Sequence, residues 1–273
     1  MNTIFEKIYV VSLITNRDRQ EFVKKQLDNL NLEFEFIYAP DFSNFKNVQW
    51  PDINNFQIAD DIKPNNFSCT LGHYEAVMQA YYLGYNNVLI LEDDICFNKD
   101  ASLIEDMLNN IPKDADFVTY DFRGVPPQEE EFKNIIKNNL DNKYAKLEYE
   151  RFYGGMMYGI MNKQTLELYI NNQHEKMIMN DWVDNFWINP SITRYIPTKC
   201  LCVSQVFYKK VFVQKSEKPI FLNDNVFYRV SENLTENDFY KPDIFHEYSR
   251  YNNDINMSNV KFICINQNSN KPS

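Results

Sequence analysis

Val88-Leu-Ile-Leu-Glu-Asp-Asp94 sets four consecutive aliphatic residues directly against three carboxylates. A short, unbroken apolar run is the pattern of a strand covered on both faces, as in a parallel sheet. The acidic triplet then stands at the strand's carboxyl end, which is where open α/β sheets bind their ligands. Carboxylate oxygens suit hard divalent cations, and such a cation bridges to a diphosphate. Two acids spaced as Glu92 and Asp94 can hold one and leave positions open for phosphate, so that it assists departure of a nucleotide. The plainer alternative is a solvated acidic turn.

The flanking sequence extends this strand into a fold. Upstream, residues 69–83 carry Leu71, Tyr74, Val77, Met78 and Tyr81 at helical spacing, and Gly84 stops the helix as a C′ glycine. Ile8–Leu13 is another buried strand, and Thr15–Arg19 reads as a polar loop. Phe22, Val23, Leu27 and Leu30 then mark an amphipathic helix. A strand follows over Phe34–Ala39 and is ended by Pro40. This β-α-β opening predicts a parallel sheet with crossover helices. Residues 41–66 read as a long surface excursion. Downstream, a helix is expected over Ala101–Asn110, a strand over Asp116–Tyr120 and a helix over Lys163–Ile170. Short strands are expected over Ile192–Ile196 and Leu201–Val206. Residues 153–161 hold three of the 6 glycines and read as close backbone approach rather than ordinary strand. The charged run from Pro126 to Lys143 reads as a solvated helix or loop.

The bulk composition narrows the function. The chain has 273 residues, 44% hydrophobic, with no linker-like stretch, and is expected to form one large domain, with residues 216–273 as an extension packed on it. Thirty-eight acidic against 28 basic side chains give a formal charge of -10. That balance argues against duplex nucleic acid and against broad adsorption to anionic lipid. Five cysteines, an odd number without a dense framework, suit a reducing compartment. Cys200-Leu-Cys202 has no second pair to complete a structural zinc site, so both are expected to be small buried residues on a strand. No signal peptide or membrane-length apolar run is visible, which predicts a soluble cytoplasmic protein with at most peripheral contact at the inner membrane face.

The ordered motifs resemble glycosyltransferase family 25, which includes lipooligosaccharide and collagen-type galactosyltransferases. Cys69-Thr-Leu-Gly-His73 ahead of Leu91-Glu-Asp-Asp94 is similar to that family's C-x-x-S-H segment and L-E-D-D block, with Gly72 in the Ser position and Val77 where an aromatic is common. Val11-Ser-Leu13 through Arg17 and Arg19 resembles its opening element. Phe36-Ile-Tyr-Ala39 through Asp41 resembles its F-x-A-x-D-G element, with Phe42 replacing glycine. Tyr153–Asn162, Asp181–Trp187 and Tyr195–Gln205 look like its later blocks.

The resemblance implies a GT-A type fold, a Rossmann-like, mostly parallel sheet flanked by helices. It also implies inverting transfer of a hexose, galactose in many members, from a UDP-sugar with Mn²⁺ or Mg²⁺. The acceptor would be a glycan such as lipooligosaccharide, or a collagen-type hydroxylysine. Val11, Ser12, Arg17, Arg19, Ala39, His73, Asp93 and Gln205 become candidates to contact the donor. Glu92 and Asp94 are candidate metal ligands, with His246 a possible third. Inversion needs a base for the acceptor hydroxyl. Asp184 is the first choice and Asp181 the second, both among Trp182, Phe186 and Trp187. Arginine forks at 17 and 19 suit phosphate oxygens, though each could be a solvated loop charge. His73 on an amphipathic helix could equally be a packing residue.

Two other classes compete. A nucleotidyltransferase would use the same strand-end acids but needs a glycine-rich phosphate loop, and residues 11–16 contain no glycine. A non-catalytic glycan-binding protein could keep the fold without holding the metal at Glu92 and Asp94.

Overall fold

The computed structural model describes residues 3–39, 64–120, 123–124, 138–139, 141–147, 157–176, 189–209, 221–222, 225–227 and 235–243. Asp181, Asp184 and His246 lie outside them, as do Pro40, residues 41–63 and most of the acidic run after Pro126.

Seven strands form the main sheet. In chain order they are β1 (Lys7–Leu13), β2 (Glu35–Ala39), β3 (Val88–Glu92), β5 (Phe117–Thr119), β7 (Tyr144–Leu147), β8 (Met157–Ile160) and β9 (Arg194–Pro197). β4 (Ile95–Phe97) pairs instead with β10 (Cys202–Ser204), and the short β6 (Arg123–Gly124) with β12 (Asn225–Phe227) beside β11 (Phe221–Leu222). The main order is β2-β1-β3-β8-β5-β9-β7. β1 pairs parallel with β2 and β3, and β5 parallel with β9, whereas β8 and β7 run antiparallel to their neighbours. This is the α/β, GT-A type architecture expected from the sequence: a mixed, mostly parallel sheet flanked by helices.

Alternation along β1 explains why both faces are covered. Ile8 and Val10 join one core with Val23 and Leu27 of helix α1 (Arg17–Asn29) and Ile104 and Leu108 of α3 (Ala101–Asn109). Tyr9 and Val11 join the other with Ala76, Val77 and Ala80 of α2 (Pro64–Leu83) and Leu166 of α4 (Lys163–Lys176). Period-2 side chains thus meet period-3.6 helices on each side. Close contact at α2 depends on Gly72, where a Cβ would stand 2.5 Å from Val11 Cγ1 and 3.0 Å from Ala39 Cβ. α2 begins with Pro64 at a position where its missing N–H costs nothing, and Gly84 ends it at φ +82°.

Three expectations are corrected. Thr15–Arg19 is not all loop, because α1 starts at Arg17, with Asp18 in its first turn, where an acid suits the helix dipole. The excursion ends earlier, since Pro64 to Asn66 are helical. Residues 157–160 are an ordinary central strand, β8, paired on both edges. The close approach survives at Gly159 alone among the described glycines of that stretch, where an added Cβ would meet Phe5 Cζ at 2.7 Å.

Candidate active site

The chain leaves β1 to form β2 on one side, then crosses through α2 to β3 on the other, so the sheet order reverses between β1 and β3. In open α/β sheets such a switch point, at the strands' carboxyl ends, is where ligands bind. Ser12 is the penultimate residue of β1 there, and the acidic triplet starts at Glu92, the last residue of β3, and runs into the turn beyond it. A hydrogen bond from Ser12 Oγ to Asp93 Oδ2, 2.6 Å, ties the two together.

Asp93 is buried. Its carboxylate also accepts from Asn16 Nδ2 at 3.4 Å and pairs with Arg19 Nη1 at 3.3 Å. Gln20 Nε2 braces the loop from below, donating to Ser12 Oγ at 3.1 Å and Leu13 O at 2.9 Å. Desolvation outweighs these favourable partners and raises the Asp93 pKa from 3.8 to about 6; Asp94 pushes the same way. A buried carboxyl kept at such a cost makes Asp93 a candidate functional position.

Glu92 faces the other side of the strand end, toward α2. His73 Nε2 lies 3.0 Å from its Oε1, and Cys69 Sγ donates to the same oxygen at 3.3 Å. Cys69 and His73 are four residues apart on α2, hence on one helical face. His73 is fully buried, and its Nδ1 is hydrogen-bonded to the Tyr158 hydroxyl of β8, with the two rings stacked at 5.4 Å. Asp94 is buried rather than sitting in a solvated turn, and its carbonyl accepts from Gln205 N at 2.8 Å. Gln205 opens the short helix α5 (Gln205–Tyr208) directly after β10.

Ser12, Arg19, His73, Glu92, Asp93, Asp94 and Gln205 are therefore gathered about the β3 end. Val11 and Ala39 are buried against α2 at Gly72, within paired strands, and Ala39 O accepts from Ile14 N at 3.2 Å. Arg17 is exposed on the first turn of α1, donating to Gln20 Oε1 at 3.2 Å. Asn16, Gln20, Cys69 and Tyr158 were not singled out as site residues from the sequence. The i, i+4 spacing of Cys69 and His73 was a usable signal, but nothing local marks Tyr158, which arrives by antiparallel pairing with β3. Cys200 and Cys202 are buried and not joined by a disulfide; Cys202 lies on β10 as expected, whereas Cys200 precedes the strand. The carboxylates of Glu92 and Asp94 have the oxygen chemistry that Mn²⁺ or Mg²⁺ requires.

Among the described residues no helix is long and apolar enough to cross a membrane. No curated protein matches the chain significantly. Solved structures similar to it include a glycosyltransferase involved in glycosylation of the major capsid of PBCV-1, at 8% identity over 62% of this chain and 67% of that one, TM-score 0.33. Another is a mannose-1-phosphate geranyltransferase from Thermus thermophilus, at 11% identity over 78% and 79%, TM-score 0.38. Neither likeness is close enough to carry an argument. The family model described as "Glycosyltransferase family 25 (LPS biosynthesis protein)" matches residues 5–153. That span holds β1, β2, α2, β3 and the whole acidic triplet, more than half of the 273 residues. The chain belongs to glycosyltransferase family 25.

Proposed function

We propose that this glycosyltransferase moves a hexose, galactose in the first instance, from a UDP-sugar to a glycan acceptor with inversion at the anomeric carbon. The observation that supports this best is the joining of Ser12, Arg19 and Asp93 across the switch point, beside Glu92 and Asp94. In this reading Asp93, Ser12 and the main chain of Val11 and Ala39 receive the nucleoside. Arg17 meets the diphosphate as a guanidinium fork. His73 and Gln205 shape the donor side of the pocket.

Glu92 and Asp94, with His246 as third ligand, would hold Mn²⁺ or Mg²⁺, which supplies positive charge to the departing diphosphate. Asp184 takes the proton from the acceptor hydroxyl as that oxygen attacks the anomeric carbon, with Asp181 as the alternate base. The bond from that carbon to the diphosphate oxygen breaks with its electron pair leaving on UDP. The acceptor is a glycolipid of the lipooligosaccharide type, met on the cytoplasmic side where UDP-sugars are made, with the chain acting as one catalytic domain and residues 216–273 packed on it.

A panel of nucleotide sugars with Mn²⁺, scored for UDP release without acceptor, tests the donor. Release from UDP-galactose above the other donors is expected, and no release from any UDP-hexose refutes the reading. Transfer to truncated lipooligosaccharide, and not to hydroxylated collagen-like peptides, tests the acceptor.

A further inference from the structure

We propose that Cys69, His73 and Glu92 form a binding site for a thiophilic divalent cation of the Zn²⁺ class. Their ligand atoms, Sγ, Nε2 and a carboxylate oxygen, all lie within 4.8 Å of one another. Two of the three separations are 3.3 Å (Sγ to Oε1) and 3.0 Å (Nε2 to Oε1). A tetrahedral zinc with Zn–S of about 2.3 Å and Zn–N and Zn–O of about 2.1 Å separates such ligands by about 3.4 to 3.6 Å. Those two separations need only tenths of an ångström of spreading to match, and the third, Sγ to Nε2, lies within 4.8 Å.

Three further features suit it. The two α2 ligands sit four apart on a formed helix, so their relative placement is rigid. The His73 Nδ1 partner is the Tyr158 hydroxyl, the kind of outer-shell contact that fixes a metal-bound imidazole. Cys69 is half-buried and the Glu92 side chain is 25% exposed, which gives an ion a route in and leaves room for a water as fourth ligand. The site shares Glu92 with the pair Glu92 and Asp94, but its sulfur donor selects a softer ion than Mn²⁺ or Mg²⁺.

The proton balance is definite. Without the ion, the Cys69 thiol and the His73 Nε2–H both point at Glu92 Oε1, and Nδ1 accepts from the Tyr158 hydroxyl. On binding, the thiol proton leaves to solvent and Cys69 ligates as thiolate. The imidazole proton shifts to Nδ1, where the Tyr158 oxygen accepts it. One proton is released per ion bound.

The test uses the full chain, chelator-free and reduced, titrated with Co²⁺ as a spectroscopic stand-in and with Zn²⁺, without any nucleotide sugar. The expected result is a thiolate-to-cobalt absorption band saturating at one equivalent and displaced by Zn²⁺. Cys69→Ser should lose the band, and Tyr158→Phe should weaken Zn²⁺ affinity on the order of 10- to 100-fold. In the unmutated protein, Zn²⁺ should slow alkylation of Cys69. Absence of the band, its survival in Cys69→Ser, or Cys69 alkylation unaffected by saturating Zn²⁺ would each overturn the proposal.

Discussion

Asp93→Asn removes one negative charge from a buried site while keeping its shape and an oxygen to accept from Ser12 and Asn16. Burial raises the Asp93 pKa from 3.8 to about 6 despite the Arg19 guanidinium at 3.3 Å. At about 1.4 kcal/mol per pH unit, a rise of about 2 units corresponds to about 3 kcal/mol. The native state holds this proton more tightly than the unfolded chain does. The stabilising contribution is therefore complete below about pH 3 and is lost as pH rises from there through 6, staying level above. The natural protein and the variant should be closest in stability near pH 3, where Asp93 is largely protonated in both states. The variant should gain about 3 kcal/mol on it by pH 7, because other titrating groups cancel in the difference. Urea unfolding of both proteins at half-unit steps from pH 3 to 7.5, followed by circular dichroism, reads this directly. A flat difference, or one that grows in favour of Asp93 with rising pH, would show that Arg19 and Ser12 outweigh desolvation and would refute the reasoning.

Asp94→Asn should abolish divalent-dependent UDP binding, read by calorimetry with and without Mn²⁺. Because Asp94 is buried, thermal denaturation must accompany it, and full Mn²⁺-dependent turnover would remove the acid from the mechanism. Asp184→Asn should lower kcat by about 10² to 10⁴ with donor affinity nearly unchanged; the same loss from Asp181→Asn instead would move the base, and no loss from either would end that assignment. Gly72→Ala should destabilise, since a Cβ 2.5 Å from a β-branched strand residue forces repacking. Overpacking costs about 1–3 kcal/mol against about 1 kcal/mol gained in helix propensity, for a net loss of up to about 2 kcal/mol. An unchanged melting temperature would mean that Val11 yields freely.

The sequence by itself determined β1, β2, β3, β5, β9 and β10 with the helices between them, but not β4, β7 or β8. Ile8–Leu13 and Val88–Leu91 are apolar on successive residues, so each had to be covered on both faces, and a doubly covered strand at either end of helical spacing implies a parallel sheet. Gly84 after Leu83 and Pro40 after Ala39 are local stops that need no tertiary knowledge. The acidic triplet was legible as a site because a strand's carboxyl end is a fixed place in such a sheet. The division of labour within the triplet was decided only by the tertiary structure. Three adjacent carboxylates look alike in sequence, yet Asp93 turns to Ser12 and Arg19 while Glu92 turns to Cys69 and His73. The reason is geometric: successive residues of an extended chain point to opposite faces, and α1 lies on one face of this sheet and α2 on the other. Tyr158 reaches His73 from 85 residues away. It does so because β8 inserts antiparallel between β3 and β5, a pairing that long-range packing selects and no local pattern encodes.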